Sequence, residues 1–405
     1  MPSLRADSPD LADLAQHRER WPAKVTLKAP LVLDIEIDGR KAGTMPAAEG
    51  SEVDLVEVTP DGLVVALASA RGKAAPEQTD LAERLAPAEA AAPAPAASAP
   101  SSAPAATTAP APPPAAAAPK PAEAAAVVLD SEYPAAENWT KAAFRYWCPA
   151  YAGEAPLRAV LVLVPGANGD GRGMAGDKAW QDFARKYRMA VVACFMQGTD
   201  GGGPAYHAAS RGTGALLLRV LRDFAAKSGR PEVETAPLVM WGHSAGGQFD
   251  YNFALWKPER VAAFVVNKGG YYEKMPQTGP FREVPALFFM GEKDADYRVK
   301  AIGELWKEGR SRGAPWALAV EPGAAHEPSW TAAAARIFFD DVLPLRLPED
   351  GSTKLKPIAE ADGWTGDLTS HEVKRGATSA DRGAAWLPGE ASAGMWKRFV
   401  SGEKQ

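Results

Sequence analysis

The pentapeptide Gly242-His243-Ser244-Ala245-Gly246 has the form G-x-S-x-G. It follows the apolar segment APLVMW (236–241) and precedes a segment that reads as a helix. That context carries the chemistry. A serine on a tight strand-to-helix turn has its hydroxyl exposed above the sheet edge. Small residues let the backbone make the turn and approach a substrate. A hydroxyl is a poor nucleophile at neutral pH and needs a base. Five histidines are present. His326, in EPGAAHEPSW, stands after the last strand candidate and before the last helix, where an imidazole reaches back over the sheet edge. His243 adjoins the serine but is expected to point elsewhere on the turn. His17 lies outside this region, His371 lies late in the chain, and His207 in PAYHAASRG is the remaining competitor.

A third group must orient the imidazole and stabilise its charged form. Asp294, closing Gly291-Glu292-Lys293-Asp294 after a strand candidate, is the first choice, with Asp296 and Glu292 as nearby alternatives. The chain order serine, acid, histidine is itself informative. Acyl transfer also needs donors for a developing oxyanion. The backbone N–H of Ala245, next after the serine, is one candidate. The turn in VPGANGDGRG offers Ala167 as the second, with Asn168 next to it. That loop lacks the GK[ST] ending of a nucleotide-binding loop.

The elements that must hold these groups form an alternation. RAVLVLVPG (158–166), MAVVACFM (189–196), APLVMWGHS (236–244), VAAFVVNKGG (261–270), VPALFFMGEKD (284–294) and PWALAVEPG (315–323) are nearly continuous apolar runs, as in strands covered on both faces. WQDFARKYR, TGALLLRVLRDFAAKSG and KAIGELWKEGRS have the spacing of amphipathic helices. The fold class is therefore α/β, a mainly parallel sheet with helices on both faces. FRYWCPA (144–150) is expected to supply an earlier edge strand, and TAAAARIFFDDVLPLRL the last core helix.

Residues 91–120 contain 24 Ala or Pro, so the stretch 86–126 reads as a semi-rigid linker. Before it, residues 1–85 show short antiparallel strand patterns in VTLKAPLVLDI and SEVDLVEVTPDGLVVALA, with LADLAQHRERW as a preceding helix. This piece resembles the small SH3-like barrels appended to bacterial surface or periplasmic enzymes. Such a module implies attachment to a surface or polymer. A small domain with no ligand is the plain alternative. After the linker, residues 127–405 form the main domain. Its extension from about residue 351 holds Trp364, Trp386 and Trp396 and reads as an irregular segment packed by those tryptophans against the core, as surface coverage or, alternatively, to shape the substrate cleft.

From about residue 140 to 346 the chain resembles the α/β-hydrolase superfamily. It is most similar to bacterial esterases related to polyester depolymerases, feruloyl esterases and acetyl xylan esterases. The resemblance implies a serine ester hydrolase in which Ser244 forms an acyl-enzyme, His326 is the base and Asp294 supports it. A serine peptidase or amidase on the same fold is the first alternative, and a non-catalytic binding protein the second. Tyr271, Tyr272, Trp330 and His207 are the candidates for stacking on a sugar or phenolic ring, with simple packing as the plainer reading of each aromatic, and the 12 tryptophans make a flat substrate attractive.

Composition excludes other classes. With 46% hydrophobic and 23% charged residues and a net charge of -5, nothing suggests a nucleic-acid partner. No apolar run is long enough for a membrane span. Neither an HExxH motif nor a dinucleotide fingerprint occurs, so no metal or cofactor is expected. Cys148 and Cys194 could form one disulfide, or be two small buried hydrophobes. The linker and its small companion favour a periplasmic or secreted enzyme whose signal precedes residue 1. A cytoplasmic location is the alternative.

Overall fold

A computed structural model of the chain describes residues 11–22, 24–37, 40–47, 50–67, 70–85, 126–151, 155–198, 205–349 and 352–403. The expected linker lies outside the described residues, save residue 126. The chain divides between residues 117 and 118 into two units.

The first unit holds α1 (Leu11–Gln16), β1 (Lys24–Thr26), β2 (Leu31–Ile37), β3 (Arg40–Ala47), β4 (Glu52–Thr59), β5 (Gly62–Leu67), β6 (Ala70–Ala74) and α2 (Leu81–Leu85). The strands form one antiparallel sheet in the order β1-β4-β5-β6-β2-β3. In β4 the alternation buries Val53 and Leu55, then skips to Val58. The break in parity coincides with a register shift between Leu55 and Glu57, since one extra residue swaps the faces of all that follow. These side chains meet Val25, Leu33, Leu63, Val65 and Leu81 in a small core.

The second unit begins with β7 (Val127–Tyr133), β8 (Lys141–Cys148), β9 (Ala159–Val164), α3 (Lys178–Lys186), β10 (Met189–Gln197), α4 (Thr213–Ser228) and β11 (Leu238–His243). It continues through α5 (Ala245–Trp256), β12 (Val261–Asn267), β13 (Ala286–Gly291), α6 (Asp296–Ser311), β14 (Trp316–Glu321) and α7 (Thr331–Arg346). Eight strands make one sheet in the order β14-β13-β12-β11-β9-β10-β8-β7. The pairs from β14 through to β10 are parallel, and β8 and β7 are antiparallel additions.

Every residue of β9 is buried, as a strand covered on both faces requires. Val160, Val162 and Val164 pack beneath α4, α5 and α6, with Val220, Phe224, Phe249, Phe253 and Trp306. Leu161 and Leu163 pack on the opposite face, with Trp180 and Phe183 of α3 and Phe338 and Phe339 of α7. The chain leaves β9 for β10 on one side and then crosses to β11 on the other. The loops after β9 and β11 therefore open onto the crevice where such sheets place their sites.

Two expectations are corrected. Residues 144–148 of the segment 144–150 belong to β8, which lies one strand in from the edge; the edge strand is β7. Its sequence VVLDSEY lacks an apolar run because only Ser131 in it is buried. The extension is not irregular. It forms β15 (Trp364–Gly366), β16 (Val373–Arg375), β17 (Ala385–Leu387) and α8 (Glu390–Val400), the strands pairing antiparallel. Its tryptophans pack against the core, as expected. Trp386 and Trp396 are fully buried, and Trp396 donates from Nε1 to the Leu318 carbonyl of β14 at 2.6 Å. Of the two readings of the cysteines, that of two small buried residues holds: Cys148 and Cys194 are separate buried thiols. Cys194 pairs with Phe144 across the sheet, four residues from Cys148 along β8.

Candidate active site

Ser244 stands between β11 and α5 with φ 52° and ψ -118°, a conformation side chains rarely adopt. The elbow can form only because its neighbours are small. A Cβ on Gly246 would lie 2.2 Å from the Val164 carbonyl oxygen, and one on Gly242 would lie 2.3 Å from the Gly246 carbonyl carbon. The Ser244 N–H donates to the Asn267 carbonyl at the end of β12 at 2.7 Å, and its own carbonyl accepts from Gln248. The strained turn is thus held from both sides.

His326 lies in the loop between β14 and α7, with Nε2 2.9 Å from Ser244 Oγ and Nδ1 2.8 Å from Asp294 Oδ2. Asp294 follows β13 and is buried. Its Oδ1 accepts from the Ala295 N–H at 2.7 Å and from Arg298 Nη1 at 3.0 Å. Burial pushes this carboxyl upward. The His326 bond and charge, then the Ala295 N–H and Arg298, outweigh burial and hold it below its ordinary value. An ionised carboxylate can only accept, so Nδ1 carries the ring proton. The lone pair of Nε2 then faces Ser244, whose hydroxyl donates to it. This is the protonation pattern a general base needs.

The structure brings Ser244, His326 and Asp294 together and leaves the alternatives apart. Asp296 is exposed as the first residue of α6. Glu292 is exposed and accepts from the Gly323 N–H at 2.7 Å. His243 is closer to the chemistry than its place on the turn suggested, with its ring centroid 5.1 Å from that of His326. Burial, then the nearby His326 and Lys268 charges, push His243 down to about 3. It is a neutral neighbour of the base. His371 packs 6.3 Å from the Trp396 ring, in the extension.

Ala245 is the first residue of α5, so its N–H has no intrahelical acceptor and sits at the positive end of the helix dipole. The turn after β9 lies directly against the elbow. A Cβ on Gly166 would be 3.3 Å from the His243 ring and 3.7 Å from Ser244 Cβ. Ala167 and Asn168 are exposed on that turn. The Asn168 side chain braces the loop, accepting from the Gly198 N–H at 3.0 Å.

The expected substrate-binding residues separate into two groups. Tyr271 is 57% exposed, and its ring lies 6.4 Å from His207. Tyr272 is packing: its ring meets Tyr251 edge-on at 5.1 Å and its hydroxyl is buried. Trp330 is packing too, its ring 4.8 Å from Phe399 of α8. Sequence reasoning missed Tyr297 and Arg298. Tyr297 is 43% exposed and lies 5.4 Å from Tyr271, and the Arg298 guanidinium sits 4.7 Å from the Tyr297 ring. The only signal was nearness in sequence, since α6 begins at Asp296 and its first turn carries Tyr297 and Arg298 past the carboxylate.

The strand order, the elbow and the chain order Ser, Asp, His are those of the α/β-hydrolase fold. No helix among the described residues is long and apolar enough to cross a membrane. No family model and no curated protein match the chain. Solved structures do. The fluorophosphonate-binding serine hydrolase FphF of Staphylococcus aureus is 14% identical, with a TM-score of 0.37, covering 52% of this chain and 96% of its own. Poly(aspartic acid) hydrolase-1 from Sphingomonas sp. KT-1 is 18% identical, with a TM-score of 0.38, covering 52% and 97%. A ferulic acid esterase is 14% identical, with a TM-score of 0.39, covering 52% and 95%. At such distances the fold assignment rests on the molecule's own topology.

Proposed function

We propose that this chain is a serine-dependent carboxylic-ester hydrolase acting through an acyl-enzyme. The observation that carries the reading is the continuous chain from Ser244 Oγ through His326 to Asp294, with links of 2.9 and 2.8 Å. Ser244 Oγ attacks the ester carbonyl as Nε2 takes its proton. Asp294 holds the ring in the right tautomer and stabilises the imidazolium. The N–H groups of Ala245 and Ala167 receive the oxyanion. The imidazolium then gives its proton to the departing alkoxide, releasing the alcohol. Water, deprotonated by the same Nε2, attacks the acyl carbonyl; the acid leaves, and the proton returns to Ser244.

For the substrate, we favour an ester bearing an aromatic or carbohydrate ring, in soluble or polymeric form. The exposed rings of Tyr271 and Tyr297 support this, since flat faces bury area at low entropic cost. We read the antiparallel first unit as an SH3-like module for attachment. The test is hydrolysis of p-nitrophenyl acetate together with labelling by a fluorophosphonate, in the native chain and in Ser244→Ala. Labelling must vanish in the variant, and turnover must fall by about 10³-fold or more. A panel of feruloyl, acetyl-sugar and peptide substrates then ranks the leaving groups. Preference for the peptide would overturn the ester assignment.

A further inference from the structure

Lys268 follows directly on β12, and its side chain is 0% exposed. Nothing in the reaction above uses it. Removing a cation from water is costly unless it is paired, and Lys268 Nζ lies 2.8 Å from Glu321 Oε2. The same ammonium donates to the backbone carbonyl of Glu327 at 2.6 Å. Glu321 is the last residue of β14, and Glu327 is the residue after His326. One buried ammonium therefore bonds to both ends of the loop that carries the base.

The adjacent residue completes the pattern. The Asn267 carbonyl accepts the Ser244 N–H, and Asn267 Nδ2 donates to Thr331 Oγ1 at 2.7 Å, where α7 begins. Lys268 itself is pinned to β13 through its N–H, which donates to the Phe289 carbonyl at 3.0 Å. Two consecutive residues at one strand end thus hold the nucleophile's backbone and the base's loop at once. We propose that Lys268 is a positioning residue: its ammonium fixes the loop 322–327 so that His326 Nε2 stays within reach of Ser244 Oγ. The proposal rests on the triad reading above.

A role in stability alone and a role in position separate because they respond oppositely to two variants of the full chain. In Lys268→Met/Glu321→Leu both charges go together, and apolar replacement of a buried pair is often neutral for stability. The loop tether is nevertheless lost. We expect a near-native Tm and KM within about 2-fold for p-nitrophenyl acetate, with kcat and the fluorophosphonate labelling rate lower by about 10- to 100-fold, the range a misplacement near 1 Å produces. Glu321→Gln keeps an acceptor for Nζ and leaves the bond to Glu327, but removes the counter-charge. Its Tm should fall, because the ammonium is left uncompensated, while its kcat, measured well below that Tm, stays several-fold above that of the double variant.

A folded double variant with native kcat and labelling overturns the proposal, as does activity that simply follows Tm in both variants. Should the double variant not fold, Lys268→Met alone decides at a temperature where it is folded: a kcat and labelling rate lower by about 10-fold or more support the tether, and native values refute it. A native chain that neither turns over the ester nor takes up the fluorophosphonate brings down the triad reading and the tether with it. Normal labelling of the native chain, unchanged in the double variant, brings down the tether alone.

Discussion

Replacing Asp294 by asparagine asks which ring nitrogen of His326 holds the proton, and the surroundings dictate the answer. The two carboxylate oxygens have different partners. Oδ1 receives the Ala295 N–H and Arg298 Nη1, both of which only donate. Oδ2 receives His326 Nδ1. An asparagine in the same rotamer must therefore turn its carbonyl oxygen towards Ala295 and Arg298, which places its amide NH2 against His326. An NH2 group donates, so Nδ1 must become the acceptor and the proton moves to Nε2. Nε2 then has no lone pair for the Ser244 hydroxyl, and the base is disabled with the geometry intact. The expected loss in kcat is about 10³- to 10⁴-fold, the size a wrong-tautomer change produces in an established serine triad. Partial rescue by Asp296, which its proximity in sequence suggested, is not expected, because it is exposed at the start of α6. The fold should survive: Arg298 keeps a neutral acceptor, and the cost in stability should be about 1 kcal/mol. The assay is steady-state hydrolysis of p-nitrophenyl acetate beside thermal unfolding. An asparagine variant that unfolds near the native Tm yet retains a tenth or more of native kcat would refute the argument.

Ser244→Ala and His326→Ala should each lower kcat by about 10³-fold or more, and the double variant should be no worse than either, since the two act as one unit; additive losses in steady-state assays would contradict a shared role. His243 gives a pH test of stability. Its ring is pushed down from 6.5 to about 3 by burial first and nearby charge second, so as pH falls below 6.5 the unfolded chain takes up a proton that the folded chain refuses. Its neutral burial favours the fold fully above 6.5 and loses that contribution progressively towards 3. Urea midpoints measured between these limits should fall less steeply for His243→Gln than for the native chain. Trp396→Ala should cost about 3–5 kcal/mol in urea unfolding, the range for removing a large aromatic side chain from a core, whereas a mere surface cover would change by less than about 0.5 kcal/mol.

How much of this was legible in the sequence depended on whether a residue acts through its own neighbours or through distant ones. The elbow shows in the string itself: Gly242 is demanded by the turn's own backbone, and Gly246, though what it must clear is the distant Val164 carbonyl, falls in the same five residues. The central strands were legible for a similar reason, since burial on both faces leaves an apolar run with no gaps. The edge strand β7 was not, because one side of it has no neighbour and its residues are free to be polar. The extension hid its regularity in another way. Strands of three residues are too short to show a period, and what holds them is Trp386 and Trp396, whose partners lie up to 78 residues away. For Tyr272 and Trp330 both packing and substrate contact stay open in the sequence, because an aromatic near a site looks the same there whether its face is wet or packed.

Lys268 is the sharpest case of distance hiding a role. In the string it follows an apolar strand and reads as a solvated strand end, the ordinary fate of a lysine. Only the sheet order reveals why it is buried. β13 and β14 lie successively beyond β12, so a side chain leaving the end of β12 on the crevice side can reach the strand end two places away. Lysine's flexible stem and three donors suit that span, and Glu321 stands there to receive it. The same placement explains why the serine and histidine, 82 residues apart in sequence, can be held to a 2.9 Å contact. Their loops leave β11 and β14, parallel strands three places apart, at one sheet edge, and the residues that end β12, one of the two strands between them, bond to both. Geometry of that kind is set by strand order, and no window of the sequence is wide enough to contain it.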